Sequence, residues 1–178
     1  MLEPKHYLTS EEEKARYKTH NNDVSDIRYQ NFVSPIVDAV KEAYNNSHLG
    51  LDFGAGTGPV ITKMLEDAGY KLNLYDPYFH NYQENLDKNY DYIVCCEVME
   101  HFYNPYKEFQ KMSEMLNKKG SLFCMTSLYD ESINFETWHY KRDDTHVFFY
   151  HKKALDWIRD HFDFSEVTSK DKFIAFKK

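Results

Sequence analysis

The stretch Leu51-Asp52-Phe53-Gly54-Ala55-Gly56-Thr57-Gly58-Pro59-Val60 decides the predicted fold of this chain. Apolar residues come first, three glycines then alternate with other residues, and a helical pattern begins near Val60. This order predicts a buried strand, a tight loop and the start of a helix. Glycine suits a loop that packs against a ligand, because its missing Cβ permits close approach and positive φ angles. The amide groups of such a loop and of the following helix end can bind a polar ligand.

The spacing of the glycines separates two kinds of nucleotide-binding fold. The dinucleotide motif is G-x-G-x-x-G, whereas here the third glycine, Gly58, comes one position early and Pro59 follows it. A P-loop is excluded because no Lys-Ser/Thr pair follows the glycines. The run from Asp52 to Gly58 resembles the D-x-G-x-G-x-G loop of class I S-adenosylmethionine-dependent methyltransferases. A glycine turn in another kind of nucleotide fold is the alternative.

Strands and helices alternate through the middle of the chain, which predicts an α/β fold with a mostly parallel sheet. Strands are predicted at residues 49–53, 71–75, 92–96 and 121–126, and helices at 60–68 and 106–116. A helix at 152–161 and an antiparallel hairpin of strands 164–168 and 173–177 follow. Gly69 and Gly120 come just after predicted helices and are expected to end them in the left-handed conformation.

The resemblance implies a Rossmann-like sheet in the order 3-2-1-4-5-7-6, with strand 7 antiparallel. Only about 15 residues separate Asp76 from the next strand, which is short for a parallel crossover with its own helix. The third strand is therefore expected to be reduced or missing.

A length of 178 residues predicts a single domain, with a helical cap at 1–46 and an α/β core at 47–178. A helix is predicted to start at Thr9 and a second to run over 27–44, split or kinked at Pro35. In class I methyltransferases such helices often close over the cofactor and substrate. By this resemblance Tyr17, His20 and Tyr29 are expected in the cleft; the alternative is that they only anchor the cap.

An acid, Asp76, ends the second predicted strand. The resemblance implies that it receives the ribose hydroxyls of S-adenosylmethionine, and a carboxylate can accept two charge-assisted hydrogen bonds from a diol. An ordinary Asp-Pro turn is the alternative. The residues that the resemblance assigns to the cofactor, or to its product S-adenosylhomocysteine, are Tyr17, His20, Asp52, Gly54, Ala55, Gly56, Thr57, Gly58, Asp76, Pro77, Tyr78, Cys96, Glu97, Val98 and His101.

The segment Glu97-Val98-Met99-Glu100-His101 directly follows a predicted strand. It resembles the E-V-L-E-H segment of ubiquinone and small-molecule O-methyltransferases. Ligands in parallel α/β sheets bind beyond the carboxyl ends of the strands. The resemblance implies that Glu97 and Val98 border the methyl donor and that His101 faces the acceptor.

A hydroxyl acceptor needs a general base, and imidazole has a suitable pKa near neutral pH. The candidate bases are therefore His101, His139 and His146, of which His101 and His146 are favoured. Glu97, beside the methyl donor, is the fourth candidate catalytic residue. His139 and His146 belong to a W-H-Y-x-x-D-x-T-H-V-x-F-Y arrangement at 138–150. This arrangement resembles a bacterial subgroup of methyltransferases and indicates nothing about the substrate. Hydrogen-bonded structural histidines are the alternative.

A divalent metal site is a second, less favoured interpretation of the same segment. Glu97, Glu100 and His101 stand at i, i+3 and i+4, which would place them on one helical face. With His146 they would offer oxygen and nitrogen ligands. The triplet resembles the E-x-x-E-H site of small-RNA terminal 2′-O-methyltransferases. Glu100 as an acid at a helix start is the simpler alternative.

Composition bounds the function. The net charge of -7 and the lack of a long basic run disfavour nucleic acid as a substrate. No apolar run is long enough for a membrane span, the N-terminus is polar, and an odd number of cysteines matches no disulfide framework. We therefore expect a cytoplasmic monomer or homodimer.

The predicted function is methyl transfer from S-adenosylmethionine to a small or medium-sized acceptor, at oxygen or nitrogen, by in-line displacement. Two alternatives stay open. One is a metal-assisted RNA 2′-O-methyltransferase, and the other is a non-catalytic binding module that keeps the methyltransferase fold.

Overall fold

The computed structural model describes residues 1–19 and 22–178 of the chain. His20, predicted to line the cleft, lies outside the described residues. The described strands are β1 Leu49–Phe53, β2 Lys71–Tyr75, β3 Tyr90–Cys96, β4 Leu116–Met125, β5 Glu166–Lys170 and β6 Phe173–Lys177. The described α-helices are α1 Ser10–Tyr17, α2 Ile27–Ala43, α3 Val60–Asp67, α4 Pro105–Met115 and α5 Lys152–His161.

Six strands in the described part of the chain form one sheet in the order β2-β1-β3-β4-β6-β5. The pairs β1–β2, β1–β3 and β3–β4 are parallel, and β6 is antiparallel to both β4 and β5. This confirms the predicted Rossmann-like α/β sheet, which is mostly parallel with an antiparallel C-terminal strand. The order is the expected one without its third strand.

The edge of the sheet beside β2 is partly covered by a short turn. Residues Gln83–Asn85 form a 3-10 helix in place of the missing strand. The Asn85 side chain donates a hydrogen bond of 2.9 Å to the carbonyl of Leu74 in β2. One amide side chain thus occupies a carbonyl that a neighbouring strand would otherwise pair.

Gly120 is not the helix cap that the sequence predicts. Helix α4 ends at Met115, and Gly120 lies inside β4, where the register with β3 shifts. A Cβ at Gly120 would lie 2.9 Å from the carbonyl oxygen of Asn117 and 3.0 Å from that of Asp91. Glycine is needed there because two backbone segments approach closely. Gly69, with φ of +87°, does take the left-handed conformation after α3.

Helices cover both faces of the sheet. Side chains of β3 alternate between two cores, because successive residues of a strand point to opposite faces. Tyr92 and Val94 pack with α2 and α3, whereas Ile93 and Cys95 pack with α4 and α5. None of the described helices is long and apolar enough to cross a bilayer.

Helix α2 runs unbroken through Pro35, so the predicted split does not occur. Proline lacks the amide that would bond the carbonyl four residues earlier, at Asn31. The hydroxyl of Ser34 donates to that carbonyl oxygen at 3.0 Å and replaces the lost bond.

Candidate active site

A cavity of about 730 Å³ lies beyond the carboxyl ends of β1, β2 and β3. Parallel α/β proteins bind ligands at this edge, and the volume falls within the range of small-molecule sites. All the described residues predicted to bind the cofactor line it, namely Tyr17, Asp52, Gly54, Ala55, Gly56, Thr57, Gly58, Asp76, Pro77, Tyr78, Cys96, Glu97, Val98 and His101. Tyr29, the other expected cleft residue, also lines it.

The catalytic candidates divide into two groups. Glu97, His101 and His146 line the cavity. His139 is exposed and is not among the described lining residues. The structure therefore brings three of the four predicted side chains together.

The glycine loop has the conformation that its sequence requires. Gly54 has φ of +87° and Gly56 has φ of +62°, values that side chains with a Cβ rarely adopt. A Cβ on Gly54 would lie 2.4 Å from a methyl group of Val98. The amides of Gly54 and Ala55 donate to the carbonyl of Tyr75, which fixes the loop against β2.

Asp76 both shapes this loop and lines the cavity. Its carboxylate accepts hydrogen bonds from the amides of Gly56 at 3.0 Å, Tyr78 at 2.8 Å and Phe79 at 3.0 Å. An ionised carboxylate offers about four acceptor positions, so one is left for a donor inside the cavity. The turn predicted as the alternative is therefore present, and the carboxylate also fits the recognition of a hydroxyl group.

Asp52 lies buried beneath the loop. Its carboxylate accepts a hydrogen bond of 2.8 Å from the hydroxyl of Thr62 in α3. Burial raises the pKa of Asp52 to about 7. Thr62 was not expected at the site, because nothing in the sequence indicates which hydroxyl of α3 faces β1.

The rings of His101 and His146 lie side by side, with centroids 4.9 Å apart. Nδ1 of His101 is 2.9 Å from the carbonyl oxygen of Thr145, and Nδ1 of His146 is 2.7 Å from that of Tyr140. A carbonyl only accepts, so each Nδ1 carries a proton and each Nε2 keeps its lone pair. Burial lowers the pKa of both imidazoles, which favours this neutral form.

Glu97 and Glu100 do not share a helical face. Glu97 has φ of +51°, and only Met99–His101 forms a 3-10 turn. The side chain of Tyr140 contacts both acids instead. Its hydroxyl donates to Oε1 of Glu100 and lies 3.4 Å from Oε2 of Glu97. Left-handed backbone at a residue with a side chain is strained, and such strain is typical of functional sites.

The charge of Glu97 is partly balanced by Lys172, whose Nζ lies 3.2 Å from both carboxylate oxygens. Burial, followed by the neighbouring Glu100, raises the pKa of Glu97 to about 7. Lys172 is 75 residues from Glu97 in sequence and Tyr140 is 43 residues away. Sequence reasoning missed both, because no local pattern connects them to the site.

Glu100 is fully buried, and its Oε2 has no hydrogen-bond partner among the described residues. One possible ligand atom from each of Glu100, His101 and His146 lies within 4.8 Å of the others. Carboxylate oxygen and neutral imidazole nitrogen together suit several divalent metals. Three of the four predicted metal ligands thus converge, and Glu97 is not part of this group.

Helix α1 forms one wall of the cavity. Glu13 lines the cavity at 5% exposure and accepts a hydrogen bond of 2.6 Å from the Tyr78 hydroxyl. Arg16 forms a salt bridge of 2.7 Å with Asp143. The first turn of α1 holds three acids, Glu11, Glu12 and Glu13, and the sequence does not show which of them faces inward.

The sheet order, the glycine loop and the acid after β2 define a Rossmann-like α/β protein. The profile of the family described as "Methyltransferase domain" matches residues 26–169. The chain belongs to this family.

Three solved structures illustrate the similarity. An O-methyltransferase family protein from Burkholderia thailandensis has a TM-score of 0.61 and 11% identity, over 93% of this chain and 61% of its own. Human N-acetylserotonin methyltransferase, in complex with S-adenosylmethionine, has a TM-score of 0.59 and 15% identity, and the match covers 84% of this chain and 53% of the human chain. TehB from Haemophilus influenzae has a TM-score of 0.56 and 16% identity, and the match covers 81% of this chain and 60% of the TehB chain.

These matches, at low identity, support the fold. The chain spans between 53% and 61% of the length of these three proteins. A comparison with curated proteins gives no match.

Proposed function

We propose that this chain binds S-adenosylmethionine in the 730 Å³ cavity and directs methyl transfer to oxygen or nitrogen of a small or medium-sized acceptor. The observation that carries the proposal is Asp76, a carboxylate that lines the cavity and bonds to the amide of Gly56 in the glycine loop. The family membership of residues 26–169 supports it. The bound cofactor supplies a methyl group that is already activated by a sulfonium.

The residues of the chain have separable tasks in this proposal. Asp76 and the glycine loop hold the cofactor, and Cys96, Glu97 and Val98 border it. The walls align the acceptor for in-line displacement. Nε2 of His101 or His146 takes the proton from a hydroxyl acceptor, because each Nδ1 is occupied by a carbonyl. His139 lies outside the cavity and has no task in it.

A divalent cation held by Glu100, His101 and His146 is the second candidate. The unpartnered Oε2 of Glu100 favours it, because a buried carboxylate oxygen without a donor is costly. Such a cation would supply a Lewis acid that polarises an acceptor oxygen. The cytoplasmic location and the state as monomer or homodimer stay predictions, as does the expectation that nucleic acid is disfavoured as a substrate.

Calorimetric titration with S-adenosylhomocysteine tests the cofactor site. We expect Asp76→Ala to weaken binding by about 10- to 100-fold, because hydrogen bonds to a charged group contribute roughly 1.5–3 kcal/mol. Asp87→Ala, at an exposed position of the same loop region, is the matched control and should bind as the wild-type chain does. Absence of binding by the wild-type chain would contradict the proposal.

Calorimetric titration of the chain with MnCl2 distinguishes a mechanism with an imidazole base from one with a bound cation. If the cation site exists, Glu100→Gln weakens Mn²⁺ binding by at least about tenfold, since it removes one charged ligand. Metal-free binding of S-adenosylhomocysteine should not change. Glu114→Gln, at an exposed position, is the control. No heat of Mn²⁺ binding, or equal binding by both variants, removes the metal and leaves the imidazoles as bases.

A further inference from the structure

Acidic side chains outnumber cationic ones in the lining of the cavity. The lining acids are Glu13, Asp52, Asp76, Glu97, Glu100, Glu108 and Asp143. Among the described lining residues, Lys111 is the one lysine, and arginine is absent. Burial raises the pKa of Asp52 and of Glu97 to about 7 and also raises that of Glu100, so these three acids contribute only part of the negative charge. The remaining excess of acids still favours a cationic ligand over an anionic one, and the low dielectric of the walls strengthens this preference.

Three of these acids are already paired with a cation. The pairs are Glu97–Lys172 at 3.2 Å, Asp143–Arg16 at 2.7 Å and Glu108–Lys111 at 3.5 Å. Asp76 bonds to an amide of the glycine loop and Asp52 lies beneath that loop, whereas Glu100 lies beside His101 and His146. Glu13 remains outside all of these groups.

Glu13 has hydroxyl partners instead of a cation. Its carboxylate accepts from the hydroxyl of Tyr78 at 2.6 Å and from that of Tyr17 at 3.3 Å. None of the described lysines, arginines or histidines forms an ion pair with it. A carboxylate at 5% exposure without a cationic partner is costly, and a bound cation would offset that cost.

Glu13 lies between the cofactor side and the acceptor side of the cavity. Its partner Tyr78 follows Asp76 on the cofactor side, and its other partner, Tyr17, reaches toward the acceptor side. The ring of Tyr17 is 5.3 Å from that of His101, which links Glu13 to the predicted acceptor wall. The rings of Tyr17 and Tyr78, 5.8 Å apart, stand beside the carboxylate. Aromatic faces attract ammonium groups, so the rings and the carboxylate favour the same kind of ligand, an organic cation.

We propose that the methyl acceptor is a small amine, and that the Glu13 carboxylate with the neighbouring tyrosine rings recognises its ammonium form. The inference rests on the proposed function and names the substrate class of the same cavity. After binding, the ammonium loses one proton to solvent. The nitrogen lone pair then forms the bond to the methyl carbon as the carbon–sulfur bond breaks, and that electron pair stays on sulfur. The reaction releases the methylated ammonium and one proton.

Binding to the chain saturated with S-adenosylhomocysteine tests this recognition without turnover. The probes are 2-phenylethylamine, 2-phenylethanol and phenylacetate, which are similar in size but differ in charge. We expect the amine to bind at least about tenfold more tightly than the alcohol, and the acid to bind most weakly. A tenfold change corresponds to about 1.4 kcal/mol, the size of one charge-assisted contact.

Two matched variants locate the effect. Tyr17 and Tyr78 donate to different oxygens of Glu13, so Glu13→Gln keeps one acceptor oxygen and replaces the other with a donor NH2 group. The variant should weaken amine binding by about fivefold or more and leave alcohol binding unchanged. Glu11→Gln, an exposed position of the same helix, should leave all three affinities unchanged. S-adenosylhomocysteine is titrated first on each protein. If that binding is absent, the proposed function fails at that step.

With that binding intact, three results overturn the amine proposal alone. They are an amine affinity no higher than that of the alcohol, no binding by any of the three probes, and equal losses in Glu13→Gln and Glu11→Gln. In each case the methyltransferase proposal stands and the acceptor belongs to another class.

Discussion

At the scale of single residues, Asp52 couples the site to pH. Its pKa is about 7 in the folded chain against an ordinary value of 3.8, because burial disfavours the charged form. Between these values the folded state holds a proton that the unfolded state has lost. The free energy of unfolding therefore falls as pH rises through this window and is constant above it, as far as Asp52 is concerned.

We predict that Asp52→Asn removes this pH dependence. The variant should gain stability relative to the wild-type chain as pH rises from 4 to 8, by as much as about 4 kcal/mol, because folding raises the pKa of Asp52 from 3.8 to about 7. Urea unfolding at the two pH values measures the difference.

Asp87→Asn, at an exposed position, is the control and should differ from the wild-type chain by the same amount at both pH values. A difference between Asp52→Asn and the wild-type chain that stays constant with pH would show that Asp52 is ionised in the folded chain.

At the scale of elements, α1 depends on a few polar contacts with the core. The Arg16–Asp143 salt bridge joins the helix to the segment before α5. The Tyr78 hydroxyl joins Glu13 to the turn after β2, and the Tyr103 hydroxyl donates to the carbonyl of Leu8 at 2.9 Å. Glu13 is the one residue within α1 that is buried. A helix that buries so little apolar surface unfolds locally at a low cost in free energy.

We predict that Arg16→Gln accelerates hydrogen exchange of the α1 amides by about two- to fivefold, with α2 unchanged. The half-exposed arginine limits the contribution of this pair to about 0.5–1 kcal/mol. Added salt should narrow the difference, because it screens the pair in the wild-type chain. Lys18→Gln, at an exposed position just after the helix, is the control. Equal exchange in Arg16→Gln and the wild-type chain would show that the other contacts suffice to hold α1.

At the scale of the whole molecule, an aromatic cluster joins α4, α5 and the antiparallel end of the sheet. Phe109 is fully buried at its centre. Its ring centroid lies 5.9 Å from that of Phe102, 6.1 Å from those of Tyr150 and Phe176, and 6.3 Å from that of Phe162. These contacts join segments from the middle and the end of the chain into one core.

We predict that Phe109→Ala lowers the free energy of unfolding by about 3–5 kcal/mol, through lost burial and the remaining cavity. Tyr82→Ala removes a ring that is 50% exposed and should cost far less. Urea unfolding measures both losses, provided that the variants and the wild-type chain depend equally steeply on urea concentration. Similar losses of unfolding free energy in the two variants would show that the aromatic cluster stabilises the fold no more than an exposed ring does.

The fold was largely predictable because its elements have strong local signals. Helix α5 and strands β1, β2 and β6 have the predicted limits, since apolar periodicity and turn residues agree there. The start of β4 was missed by several residues, because Gly120 resembles a helix cap in sequence and only the approach of the Asp91 carbonyl explains it.

The candidate site was predictable wherever a residue follows a strand directly. The glycine loop, Asp76 and His101 meet at one edge because parallel strands end there. The helical face expected from Glu97 to His101 was wrong, because Glu97 takes a left-handed conformation. Tyr140, not helical spacing, brings Glu97 and Glu100 together.

The sequence by itself determined the alternation of strands and helices, the glycine loop and the acid after β2. Each depends on contacts within a few residues, so local patterns suffice to specify them. Only the tertiary structure decided that Glu13 faces the cavity, that His139 does not, and that Lys172 neutralises part of Glu97. Those facts depend on how distant segments pack against each other, and burial and pairing of side chains arise from that packing alone.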